Sequence, residues 1–196
     1  MLNIFYQKIN NIPTLIINIS SSKCCYTKTN NNVTYGYHDN ELVFINIFNF
    51  ISTSLGTKMG LVFPNNKIIN EIKTIINFDL NKYFDNGFKI GKIINCQKIN
   101  NSHLHLCDVI IDNEKVINII CGAKNVKKDL KVVVATNGTM LPSGKLITKT
   151  NILNVESNGM LCSYKELNLN EISPGIIELD NKYKVGDYYF TCYINR

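Results

Sequence analysis

Hydrophobic and polar positions change rhythm twice along these 196 residues. In the opening part, "LNIFYQ", "TLIINIS", "VTYGYH" and "ELVFINIF" carry the short, aromatic-rich and β-branched runs of strands, with Asn-rich turn material between them. The period then lengthens in "NKIINEIKTIINF". Ile68, Ile69, Ile72, Ile75 and Ile76 recur at helical spacing, which predicts a helix laid by one apolar stripe on the preceding sheet. "NKYFDNG", residues 81–87, is polar and ends in glycine, the composition of a boundary. Residues 1–87 are therefore expected to form a small α+β domain.

Beyond the boundary the pattern is all β. "FKIGKIINCQKI", "LHLCDVIID", "EKVINIIC", "LKVVVATNGT" and "ITKTNILNV" read as five short strands broken by Gly, Asn-Glu and Pro-Ser-Gly turns. Five such strands predict a small closed barrel of the OB type, because closure removes exposed sheet edges. "GIIELDNKYKVGDYYF" predicts a further strand pair with a Gly-Asp turn. The expected fold is an α+β N-terminal domain over 1–87 followed by an all-β OB-fold barrel over 88–196.

Composition narrows the function classes. Apolar residues are 45% and charged residues 18%, which argues for a packed globular chain rather than a disordered one. The net charge of +6 favours an anionic partner without demanding one. Heavy use of Asn, Ile and Lys matches AT-rich coding, so each single lysine carries less weight. The N-terminus lacks a basic run followed by an apolar stretch, and no membrane-length apolar run occurs anywhere. The seven cysteines are scattered and never form C-x-x-C, which speaks against a disulfide framework or a zinc ribbon. Reduced thiols in a cytoplasm are expected.

Three stretches carry candidate chemistry. In "VESNGMLCS", residues 155–163, Ser157 precedes Gly159, but Val155 stands where a nucleophile elbow needs its first glycine, and no base or acid stands at a telling spacing. No catalytic residue is assigned there. In "SHLHLC", His103, His105 and Cys107 alternate as strand-borne metal ligands would. A fourth ligand is missing nearby, so the favoured reading is a solvated strand face with a small buried or half-buried Cys, and Leu104 and Leu106 filling the core on the other side. No metal and no cofactor is expected. In "CGAKNVKKDLK", by contrast, Lys124, Lys127, Lys128 and Lys131 face one acid, Asp129, and Lys145 and Lys149 follow with no acid between them. Such a run is often just a solvated face, but on the rim of an OB barrel lysines supply phosphate contacts to nucleic acid.

The motif residues Cys121-Gly122-Ala123, Asn125-Val126, Leu141-Pro142-Ser143-Gly144 and Val155-x-Ser157-x-Gly159-Met160-Leu161-Cys162-Ser163 come in a fixed order, with Glu166-Leu167 and Gly186-Asp187 after them. This order resembles the tRNA-binding OB domain of the bacterial phenylalanyl-tRNA synthetase β chain, of some methionyl-tRNA synthetases, and of the endothelial monocyte-activating polypeptide group. The front half, with "MLNIFYQ", "TLIINI" and "FINIFNF", resembles the N-terminal domain of free-standing YtpR-type tRNA-binding proteins. One departure is clear: the family's His-Pro-Asn-Ala-Asp-like stretch is replaced here by residues 98–104, without its Pro and Asp.

The resemblance implies a cytoplasmic, non-catalytic protein that binds tRNA. Lys124, Asn125, Lys127, Lys128, Lys145 and Lys149 are the expected phosphate and sugar contacts; Ser157, Met160 and Ser163 are the expected closer grip. Gly122, Pro142, Gly144 and Gly159 are expected to set loop shape. Two rivals stand beside this reading. One is a protein-interaction module that docks on an aminoacyl-tRNA synthetase or another partner. The other, a fragment of the synthetase β chain, is disfavoured by the YtpR-like front half. The first domain is left as a surface for a protein partner or a homodimer.

Overall fold

The computed structural model describes residues 2–56, 59–63, 66–76, 78–80 and 87–190. The expected boundary segment lies mostly outside them, at 81–86. The chain divides into two compact units, Met1–Asn86 and Gly87–Arg196.

The first unit is built on an antiparallel six-stranded sheet in the order β3-β4-β5-β2-β1-β6. Its strands are β1 (Asn3–Ile9), β2 (Ile12–Asn18), β3 (Tyr26–Asn30), β4 (Val33–His38), β5 (Glu41–Phe48) and β6 (Gly60–Val62). Alternation sends Ile4 and Tyr6, Leu15 and Ile17, and Ile45 and Ile47 to one buried face. Helix α1 (Asn66–Lys73) belongs to the same core through Ile68, Ile69 and Ile72. Asn does the turning. The β1–β2 hairpin turns on Asn10 and Asn11, both with positive φ, and Asn31 and Asp39 take positive φ in the next two hairpins.

Two expectations change here. Among the described residues the unit is largely strands with one short helix, which does not support an α+β description. The apolar stripe also overran the helix, which stops at Lys73; Ile76 still reaches the core, but Ile75 is exposed beyond the helix end. Glu71 on α1 ties the helix to the loop after β5. Ser52 Oγ and Thr53 Oγ1 each donate to its carboxylate at 2.7 Å, and the Ser54 amide donates at 3.1 Å. Burial raises the Glu71 carboxyl, but these hydroxyl and amide donors outweigh it and hold the group below its ordinary value.

The second unit is a nearly closed barrel-like sheet, consistent with an OB fold. Its path runs β13-β10-β7-β8-β9, built from β7 (Phe88–Lys98), β8 (His105–Ile110), β9 (Val116–Cys121), β10 (Lys131–Thr136) and β13 (Gly159–Leu161). β11 (Thr150–Ile152) and β12 (Val155–Ser157) form a separate hairpin, and β14 (Glu178–Leu179) adds to β10. Val109, Ile119, Val132, Val134 and Leu161 fill the interior. The long β7 pairs with β10 through its first half and with β8 through its second, so one bent strand serves both sides. The open edges meet where the Asn158 amide donates to the Asn118 carbonyl at 2.7 Å.

The expected fifth strand, 147–155, is not the barrel strand. The side chains of β11 are all exposed, and the place beside β10 is taken by Gly159–Leu161. Gly159 makes that approach feasible, because a Cβ there would stand 2.8 Å from the Ala135 carbonyl oxygen. The parity of β8 is also inverted relative to expectation. Cys107, Val109 and Ile111 point inward, leaving Leu106 and Asp108 on the outer side. A carboxylate such as Asp108 belongs outside, and the register of one residue fixes all the others. The tail supplies one short strand and a Gly-Asp turn clamped to β7, with the Gly186 amide donating to the Ile90 carbonyl at 2.9 Å.

Candidate nucleic-acid interface

"VESNGMLCS" is a structural seam. Ser157 is 2% exposed; its Oγ accepts from the Ile120 amide at 3.1 Å and donates to the Gly159 carbonyl at 3.3 Å. Its hydroxyl ties β12 to β9 across the barrel closure. Cys162 is fully buried, and burial pushes its thiol up, away from a nucleophilic thiolate. Ser163 makes a capping box with Glu166: its amide and hydroxyl donate to Glu166 Oε2 at 2.8 and 2.7 Å.

Asn125 is likewise committed internally. Its Oδ1 accepts from the Ile176 amide at 3.0 Å, and its Nδ2 donates to the Ile176 carbonyl and to Glu178, each at 2.9 Å. The side chain behaves as a staple that joins the lysine loop to the chain before β14. A Cβ on Gly175 would fall 2.0 Å from Asn125 Oδ1, so the staple requires glycine there. Both amide hydrogens and the carbonyl oxygen of Asn125 are thus partnered within the fold.

Around these fasteners a shallow groove of about 330 Å³ opens between Gly122-Ala123, Met160, Ser163, Glu166 and the Ser173–Ile176 segment. Met160 and Ser163 therefore share one site, and Lys124 follows directly from its wall. His103 lies close by: a Cβ on Gly122 would be 3.5 Å from its ring. The departed loop 98–104 thus borders the Gly122 side, held by its own turn in which the Ser102 amide donates to the Ile99 carbonyl at 3.2 Å.

The lysines divide into two groups. Asp129, the acid inside the basic run, pairs with Lys92 at 3.2 Å rather than with its neighbours in sequence. Lys124, Lys127, Lys128 and Lys145 are exposed, and no ion pair engages them among the described residues. Lys149 is different, since it contacts Glu156 across the β11–β12 hairpin, and with Asn158 holds that carboxyl below its ordinary value. Lys131 donates to the carbonyls of Asn181 and Tyr183 at 3.2 and 2.7 Å, and so belongs to the fold. Pro142 and Gly144 shape a tight turn closed by the Gly144 amide on the Leu141 carbonyl at 2.9 Å.

The His-x-His-x-Cys alternation comes apart. His103 sits in the turn before β8, while His105 and Cys107 point inward from the strand. Among the described residues no group of three or more His, Cys, Asp or Glu side chains is placed to hold a metal ion, and no helix is long and apolar enough to cross a membrane. The Pro174-Gly175 dipeptide is the turn signal in the sequence that marks the far wall of the groove.

Residues 88–188 match the family described as "Putative tRNA binding domain". The uncharacterized protein MG449 of Mycoplasma genitalium is 33% identical over 99% of this chain and 90% of its own length, so the similarity runs through both units. The phenylalanine–tRNA ligase beta subunit of Sulfurimonas denitrificans is 42% identical over half of this chain, but only 13% of that subunit is covered. The corresponding subunit of Malacoplasma penetrans is 40% identical over 62% of this chain and 16% of its own length. A family match spanning the whole barrel, with its ordered motif residues built into the seam, the staple and the groove, makes this chain a member of the tRNA-binding domain family.

Proposed function

We propose that this chain is a non-catalytic, cytoplasmic tRNA-binding protein of the YtpR type, with its RNA-binding surface on the C-terminal barrel. Lys124, Lys127, Lys128 and Lys145 supply the phosphate contacts, Met160 and Ser163 the closer contacts in the groove, and Lys149 a weaker contribution that competes with Glu156. Ser157, Asn125, Gly122, Pro142, Gly144 and Gly159 hold the shape that presents them. The observation that carries the reading is the family match over 88–188, within which the basic loop and the Pro-Ser-Gly turn together keep four exposed lysines free of ion pairs among the described residues. Phosphate is the partner such lysines fit, and affinity should fall as salt rises.

The test is a titration of the full chain against total tRNA at two salt concentrations, with duplex DNA as the control. Saturable binding that weakens with salt and exceeds binding to DNA supports the reading. Absence of binding at low salt overturns it. Co-purification with a synthetase or another protein that survives nuclease would then favour the docking-module alternative, with residues 1–87 as the partner or homodimer surface.

A further inference from the structure

The first unit holds a cluster that the RNA reading does not use. Cys25 stands one step before β3, and its amide donates to the Tyr37 carbonyl at 2.7 Å, which sets it opposite His38 at the end of β4. On the neighbouring rung Tyr26 and Tyr37 stack at 5.2 Å, with an interplanar angle of 14°, and hold the two strands in register. Cys25 Sγ is 3.2 Å from His38 Nδ1, and the same nitrogen is 2.7 Å from the Lys23 carbonyl oxygen. His38 Nε2 faces Asp39 Oδ2 at 3.9 Å. Cys25 is exposed and His38 is half-buried, its side chain 43% exposed.

This is a nucleophile beside a base, with a carboxylate on the base's far side. A proton that passes from the thiol to Nδ1 meets the Lys23 carbonyl 2.7 Å away, which can hold it on the ring. The other described thiols differ. Cys107, Cys121 and Cys162 are buried, and burial raises all three. Cys24 donates to the Tyr26 carbonyl at 3.2 Å, and Cys107 faces Cys96. Among the described cysteines, only Cys25 has an imidazole within hydrogen-bond distance.

We propose that Cys25 is a reactive thiol that undergoes thiol–disulfide exchange with small disulfides, with His38 taking and returning the proton. The Cys25 sulfur attacks one sulfur of R–S–S–R as its proton passes to His38. The Cys25–S bond forms while the S–S bond breaks, and the leaving R–S⁻ takes the proton from His38. One disulfide is exchanged for another, so no further oxidant is needed.

The experiment follows the reaction of the folded full chain with 5,5′-dithiobis(2-nitrobenzoate) by absorbance, and maps the adduct by peptide mass. The expected result is one fast thiol mapping to Cys25, lost in Cys25→Ser and kept in Cys24→Ser. His38→Ala should slow it by about tenfold, since an unassisted thiol is only a few per cent thiolate near neutrality. Added imidazole should restore much of the rate, and an unchanged melting temperature separates this from unfolding. An adduct that maps to Cys24, a fast phase that survives Cys25→Ser, or a rate unaffected by His38→Ala in a folded protein would overturn the proposal. The mapping in the unaltered chain decides the matter even if a variant fails to fold.

Discussion

Replacing Ser157 with alanine separates a structural motif from a recognition motif. The hydroxyl accepts from the Ile120 amide at 3.1 Å, and it lies at the seam where β12 meets β9. Removing it takes this acceptor from a part-buried N–H, which costs about 1–3 kcal/mol. The methylene that remains fills nearly the same space, so little cavity cost is added. In a domain of about 100 residues each kcal/mol lowers the melting temperature by about 4–8 °C. The assay is urea unfolding of the full chain together with hydrogen exchange read at Ile120. The expected result is a lower midpoint with an unchanged denaturant slope. Exchange at Ile120 should accelerate by roughly tenfold for each 1.4 kcal/mol lost. Affinity for tRNA, measured well below the melting temperature, should hold. Unchanged stability together with a clear loss of tRNA affinity would refute the reasoning, because the hydroxyl would then face RNA rather than the seam.

Other outcomes follow from the same geometry. Lys124→Glu combined with Lys128→Glu should weaken tRNA binding and flatten its salt dependence by about 0.7–0.9 log units per lost phosphate contact, whereas Lys149→Glu should do less. Titrations at several salt concentrations give both slopes. Asn125→Ala should destabilise the barrel by about 1–3 kcal/mol, Gly175→Ala should do so as well, and the double variant should lose less than the sum, as a double-mutant cycle in urea would show. Glu71 has a lowered carboxyl, so its contribution is fully present above its unfolded value, near 4.5, and is lost as pH falls through the lower folded value. The stability of the first unit should therefore fall in that acidic window, and Glu71→Gln should flatten the dependence.

Much of this was legible from local pattern. β1, β2, β4 and β5 fall on the runs that alternation marked out, as do β7, β8, β9 and β10. β3 was missed because every side chain in "YTKTN" is exposed, so it has no apolar rhythm; only its ladder to β4 makes it a strand. β13 was missed for a different reason. Gly159-Met160-Leu161 is three residues long, and its place depends on a close approach to β10 that no period encodes. At the candidate site the lysines could be read from charge alone, but the fates of Asn125 and Ser157 could not. Both look polar and available in the sequence, and their partners, Ile176 and Ile120, lie dozens of residues away. Asp129 misled in the same way, since its partner Lys92 stands far upstream.

The Asn-turned hairpins have a meaning at the level of the gene. Glycine needs G-rich codons, whereas asparagine is spelled largely with A and T. Asn10, Asn11, Asn31, Asn49, Asn101 and Asn154 all take the left-handed backbone that glycine would otherwise supply, and asparagine tolerates it at small cost. Glycine is retained where a side chain would collide: beneath the Phe44 ring at Gly36, against the β10 backbone at Gly159, and under the Asn125 amide at Gly175. A drifting nucleotide pool can thus rewrite the corners of this fold with little harm, while such crowded positions stay closed to it.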